Sequence, residues 1–75
     1  MFDVYGDRIN QNDIYFRARG GNVLLSNIER HLVFNFNDYT ISKLKTEKER
    51  IDYVSNNYFY DVIIYKRENH FNKMF

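Results

Sequence analysis

Hydrophobic positions along this chain switch between a period of two and a period of three to four, and each switch marks an expected element. From Asp13 to Arg19 they alternate: Ile14, Phe16 and Ala18 fall on one side, Tyr15, Arg17 and Arg19 on the other. Successive strand side chains point to opposite faces, so this segment reads as a half-buried strand with Phe16 toward the core. Met1–Val4 alternates more weakly through Phe2 and Val4, and the polar stretch Gly6–Asn12 reads as a loop, so the two segments form a candidate hairpin. Gly20-Gly21 ends the strand, because successive glycines are costly inside a regular element. Asn22 is then a candidate helix cap, and Leu24 or Leu25, Ile28 and Leu32 recur at helical spacing. Leu32, Phe34 and Phe36 also alternate, which places the expected boundary at helix to about His31 and strand from about Leu32.

Asn37-Asp38-Tyr39-Thr40 has the composition of a turn. Thr46-Glu47-Lys48-Glu49 is a capping box, with Glu three residues after Thr, and opens a helix whose apolar stripe is sparse: Ile51 and Val54, after Ile41 and Leu44. Asn56-Asn57 is its expected end. The run Tyr58–Tyr65 follows, four aromatics and three β-branched residues around the single acid Asp61. Apolar side chains on both faces predict a strand, Tyr58–Arg67, central in its sheet. The tail Glu68–Phe75 is polar apart from Phe71, Met74 and Phe75, and is expected to fray or form a short helical turn.

These elements predict an α+β fold, a three- to four-stranded mostly antiparallel sheet with one or two helices on one face, residues 1–67 forming a single domain. The predicted core is Ile14, Phe16, Leu25, Ile28, Leu32, Phe34, Ile51, Val54, Val62 and Ile64. A chain of 75 residues buries only about 60% of its unfolded surface. Seven Phe and seven Tyr offset that handicap, since each ring covers roughly 150–250 Å².

Composition removes several classes of function. The chain has no cysteine, which excludes a disulfide framework and thiolate metal sites and favours an intracellular, cytoplasmic setting. No stretch approaches the roughly 18 apolar residues of a membrane span, and a signal-peptide pattern is missing, so no membrane partner is expected. A net charge of +1 argues against duplex binding driven by counterion release. Ten asparagines, with many Ile, Lys, Tyr and Phe, point to an AT-rich genome such as those of many bacteriophages.

Catalytic chemistry is sparse. His31 and His70 stand on different elements, neither beside an obvious nucleophile, and no cofactor motif occurs. Asp3, Asp7 and Asp13 could gather around a divalent cation, but solvated loop acids are the simpler reading. Gly20-Gly21-Asn22 lacks the lysine and serine of a phosphate loop. Lys43, Lys45 and Lys48 form either a basic patch or a solvated helix face. The chain is therefore expected to be a non-enzymatic interaction protein without cofactor or metal. Its candidate contact residues are Tyr15, Arg17 and Arg19 on one strand face, with Tyr58 and Tyr60 from the aromatic run. The expected partner is a protein, in a bacteriophage setting a host protein that the chain inhibits or redirects; a second copy of the chain is a variant of this reading. The alternative is a nucleic-acid-binding regulator in which Tyr15 stacks on bases and the arginines meet phosphates.

Overall fold

Alternation and helical spacing are realised as β1 (Ile14–Ala18), β2 (Gly21–Leu24), α1 (Ile28–Phe36), α2 (Glu47–Asn57) and β3 (Asp61–Ile64) in a computed structural model that describes residues 1–66. Arg67 and the tail Glu68–Phe75 lie outside the described residues. The sheet is antiparallel, in the order β2-β1-β3, and both helices contribute to the apolar layer on one face. The fold is thus the expected small α+β domain, with β1 at its centre. Among the described residues no helix is long and apolar enough to cross a membrane.

β1 carries burial on both faces. Phe16 sits between Val23 and Val62 in the pairing register and packs with Leu25, Ile28, Leu32, Ile41 and Val54. Its neighbour Tyr15 points the other way, aligned with Leu24 and Ile63, and joins a second cluster closed by Ile9 from the N-terminal loop. The strand expected to be central, Tyr58–Arg67, is instead an edge strand of four residues, preceded by the irregular segment Tyr58–Tyr60. Apolar side chains on both faces report that both faces meet a cluster, and an edge strand meets that condition here. Val62 packs to the helix side, while Ile63 and Tyr65 pack to the other.

Gly20-Gly21 does not lead into a helix. The Ala18↔Gly21 pair closes a hairpin through Arg19-Gly20, and Asn22, expected as a helix cap, lies inside β2. Gly21 is required on two counts: its φ is +135°, and a Cβ there would stand 2.8 Å from Val4 Cγ1. The close approach arises because the N-terminal segment docks beside β2, with Val4 N–H donating to the Asn22 carbonyl at 2.9 Å. The hairpin expected between Met1–Val4 and β1 is replaced by this docking and by a lone Phe2↔Arg8 bridge.

Asp3 anchors the docked segment. Its Oδ1 accepts from the amides of Tyr5 (2.9 Å) and Asp7 (3.0 Å), and its Oδ2 from Leu24 N–H (3.3 Å) and Asn27 Nδ2 (2.7 Å). Asn27 Nδ2 also donates to Asp7 Oδ2 at 2.7 Å. Asp3 is only 6% exposed, which corrects its reading as a solvated loop acid. Burial alone would raise its carboxyl pKa; the donors from Asn27, Asp7, Leu24 and Tyr5 outweigh that and hold it below the ordinary 3.8.

The helix expected to stop near His31 runs on to Phe36. Leu32 and Phe36 are two positions of an i, i+4 stripe with Ile28, so the alternation that suggested a strand is a by-product of helical spacing. Asn37 ends α1 in the left-handed region, φ 54°, which Asn tolerates. Thr46 and Glu49 form the expected capping box, with Glu49 N–H donating to Thr46 Oγ1 (3.1 Å) and Thr46 N–H to Glu49 Oε1 (3.0 Å). Lys48 pairs with Asp52 along α2, and Arg50 reaches Glu29 on α1. Two predicted core residues are corrected: Phe34 is 78% exposed on the outer side of α1, and Ile64 is 51% exposed on the edge strand. Ile9, Tyr15, Val23, Leu24 and Ile41 join the buried set instead.

Candidate binding groove

α2 stops at Asn57, and the chain must turn before it can pair with β1. Tyr60 N–H donates to the Tyr58 carbonyl at 2.8 Å, a three-residue γ-turn with Phe59 at its apex. That turn holds the Phe59 ring entirely in solvent, at 106% relative exposure. Tyr58 is fixed from outside the segment. Its hydroxyl and that of Tyr53 (2.7 Å) both donate to Asp38 Oδ2. The two phenols hold the Asp38 carboxyl below its usual range, and burial together with the carboxylate pushes the Tyr58 hydroxyl up.

The rings then pack in series, tilted or edge-on to one another. Phe36 and Tyr58 are 5.1 Å apart between centroids, Tyr58 and Tyr60 5.7 Å, and His31 lies 6.2 Å from Tyr60 and 6.3 Å from Phe36. On its other side, His31 Nδ1 is 2.9 Å from the Tyr5 hydroxyl. Burial lowers the His31 pKa, partly countered by the charge of Asp3, which favours the neutral ring. A neutral ring suits a place in an aromatic wall.

Opposite this wall runs the end of the hairpin. Arg17 pairs with Asp61 across β1 and β3, and Arg19 occupies the turn beyond. Both arginines are exposed, and among the described residues neither forms an ion pair. Arg19 lies close enough to Tyr60 to pull its hydroxyl pKa down, although burial leaves that pKa raised overall. Between the two sides is a groove of about 410 Å³, lined by Arg17, Arg19, Phe36, Tyr58, Phe59 and Tyr60.

Four of the five candidate contact residues therefore meet in one place. Tyr15 does not. It is 5% exposed beneath Ile9 and Leu24, so its ring is no stacking platform and the Tyr15-Arg17-Arg19 row is broken at its first member. Alternation assigns a face; whether a loop covers that face depends on Ile9, outside the strand. Phe36 and Phe59 belong to the groove and were not among the candidates. Phe36 was readable as the next position of the Ile28–Leu32 stripe, and Phe59 lies between two tyrosines that were chosen.

A second depression, about 700 Å³, has Arg8, Asp13, Glu47 and Arg50 around it, two charges of each sign. Ser26 lines it as well. Asp13 accepts from Asn10 N–H at 2.7 Å, away from the Asp3–Asn27–Asp7 network, and among the described residues no three or more His, Cys, Asp or Glu side chains gather as a metal site. No protein family, curated protein or solved structure matches the chain.

Proposed function

We propose that this is a small non-enzymatic protein that acts by binding another protein through the groove between the Arg17–Arg19 hairpin end and the Phe36–Tyr58–Tyr60 wall. The AT-rich composition suits a bacteriophage-encoded modulator whose partner is a host protein. The observation that carries the reading is Phe59. A γ-turn holds a phenyl ring fully in water beside an apolar groove, an exposed anchor of the kind a partner surface covers. Aromatic and arginine side chains are the residue types that dominate binding energy in protein interfaces. A nucleic-acid reading loses Tyr15 as a stacking platform and has two groove arginines to meet phosphates.

Affinity capture from bacterial lysate, with and without nuclease, tests this reading against a Phe59→Ala variant. One host protein is expected to remain after nuclease treatment and to be bound at least about tenfold more weakly by the variant, a loss of about 1.4 kcal/mol. The melting temperature of the variant should match that of the parent, because Phe59 makes no core contact. Equal capture by both proteins would move the interface elsewhere. Capture that vanishes with nuclease would favour nucleic acid.

A further inference from the structure

The charge at the groove allows its occupant to be specified more closely, on the premise that the groove is the binding surface. Of the described cations outside it, Lys48 pairs with Asp52 and Arg50 with Glu29, whereas Arg8, Arg30, Lys43, Lys45 and Lys66 pair with no carboxylate among the described residues. Arg17 and Arg19 have none among the described residues, although Asp61 stands opposite Arg17 in the register. Asp38, behind the wall, is occupied by two phenol hydroxyls. The groove thus presents two guanidinium groups, one carboxylate and an apolar wall.

We infer that the groove takes an acidic segment of a partner protein, with one apolar or aromatic side chain against Phe59 and Tyr58 and one or two carboxylates on Arg17 and Arg19. Guanidinium forks match carboxylates in two-point hydrogen bonding, and among the described residues neither guanidinium is already held in an ion pair. A polyanionic backbone fits less well. Two phosphate contacts give a single strand a salt slope of only about −1.4. An acidic peptide needs only its local charges matched, and it offers an apolar anchor at the same time.

The test uses the full chain labelled for NMR and a synthetic peptide of about eight residues in which Glu alternates with Phe, titrated to roughly millimolar concentration, where weak peptide contacts are measurable. Expected are shifts at the amides of Arg17, Arg19, Phe59 and Tyr60, with dissociation constants at least about tenfold weaker for the same peptide carrying Gln in place of Glu. The double variant R17Q/R19Q should lose affinity for the Glu peptide by a similar factor, and for the Gln peptide very little. No shift at these residues, or equal binding of the two peptides, overturns the acidic-segment inference. So does an oligothymidylate that binds the same residues more tightly than the Glu peptide. If Phe59-dependent capture from lysate holds while the Glu peptide fails, only the charge chemistry falls. If both fail, the groove itself is not the binding surface.

Discussion

Phe16→Ala is expected to cost about 3–5 kcal/mol, a large share of the roughly 4–11 kcal/mol that 0.05–0.15 kcal/mol per residue gives a domain of this size. Phe16 is fully buried on the central strand, paired on both sides and capped by residues of both helices. No single neighbour can move to fill the space, because Val23 and Val62 are tied to β1 by sheet pairing and Ile28, Leu32 and Val54 to their helices. Phe34→Ala removes the same ring from the solvent side of α1 and should change stability by less than about 0.5 kcal/mol. Ile64→Ala should fall between them, since half of that side chain is already in water. Urea unfolding of the three variants at one pH checks the order. A Phe16→Ala midpoint equal to that of Phe34→Ala would remove Phe16 from the centre of the core.

Asp3→Asn should cost about 3 kcal/mol although it preserves size and shape. The carboxylate accepts from four donors; an amide offers one acceptor oxygen and turns an NH₂ group toward the remaining donors. The losses fall on buried groups, Leu24 N–H and Asn27 Nδ2 among them, so water cannot replace the missing acceptor cheaply. The pH dependence has a definite sign. The folded-state pKa of Asp3 is lowered, so its contribution is complete above the ordinary value of 3.8 and is lost as pH falls below that value through the folded one. Unfolding free energies measured at neutral pH and near pH 3 should differ less in Asp3→Asn than in the parent. Asp38 and Glu49, also held below their usual ranges, contribute to the acid sensitivity that remains. Identical pH profiles for variant and parent would mean that Asp3 is not the ionised hub the geometry describes.

The fold class, the strand around Phe16 and the capping box at Thr46 were legible because each rests on a local signal: alternation, or a reciprocal pair of hydrogen bonds three residues apart. The failures share a cause. β2 was missed because four residues after a glycine pair are too few to display a period, and its pairing with β1 is what makes it a strand. α1 was cut short because Leu32, Phe34 and Phe36 satisfy two periods at once; the arbiter was the left-handed Asn37 beyond them. Of the groove, the arginines and two tyrosines could be chosen as residue types suited to contact. Their meeting depends on the γ-turn at Phe59 and on Asp38 tethering Tyr58, neither of which has a sequence period. Tyr15 was misplaced for the opposite reason, since Ile9 covers it from a loop with no pattern of its own.

The position of β3 in the chain has a consequence for the order in which the molecule assembles. β1 and β2 are joined by a two-residue turn and can find each other quickly, whereas β3 reaches β1 only after both helices have been traversed. Its hold on β1 is short, ending with Tyr65 N–H on the Asp13 carbonyl and Asn12 N–H on the Tyr65 carbonyl. In native-state hydrogen exchange the amides of β3 are therefore expected to open before those of the β1–β2 hairpin; equal protection would make the sheet one cooperative unit. Because Tyr60 leads directly into β3, each such opening also loosens the Tyr60 end of the aromatic wall, while Asp38 still tethers Tyr58. A partner seated there would favour the closed β3 by mass action, so occupancy of the groove and completion of the sheet would be coupled.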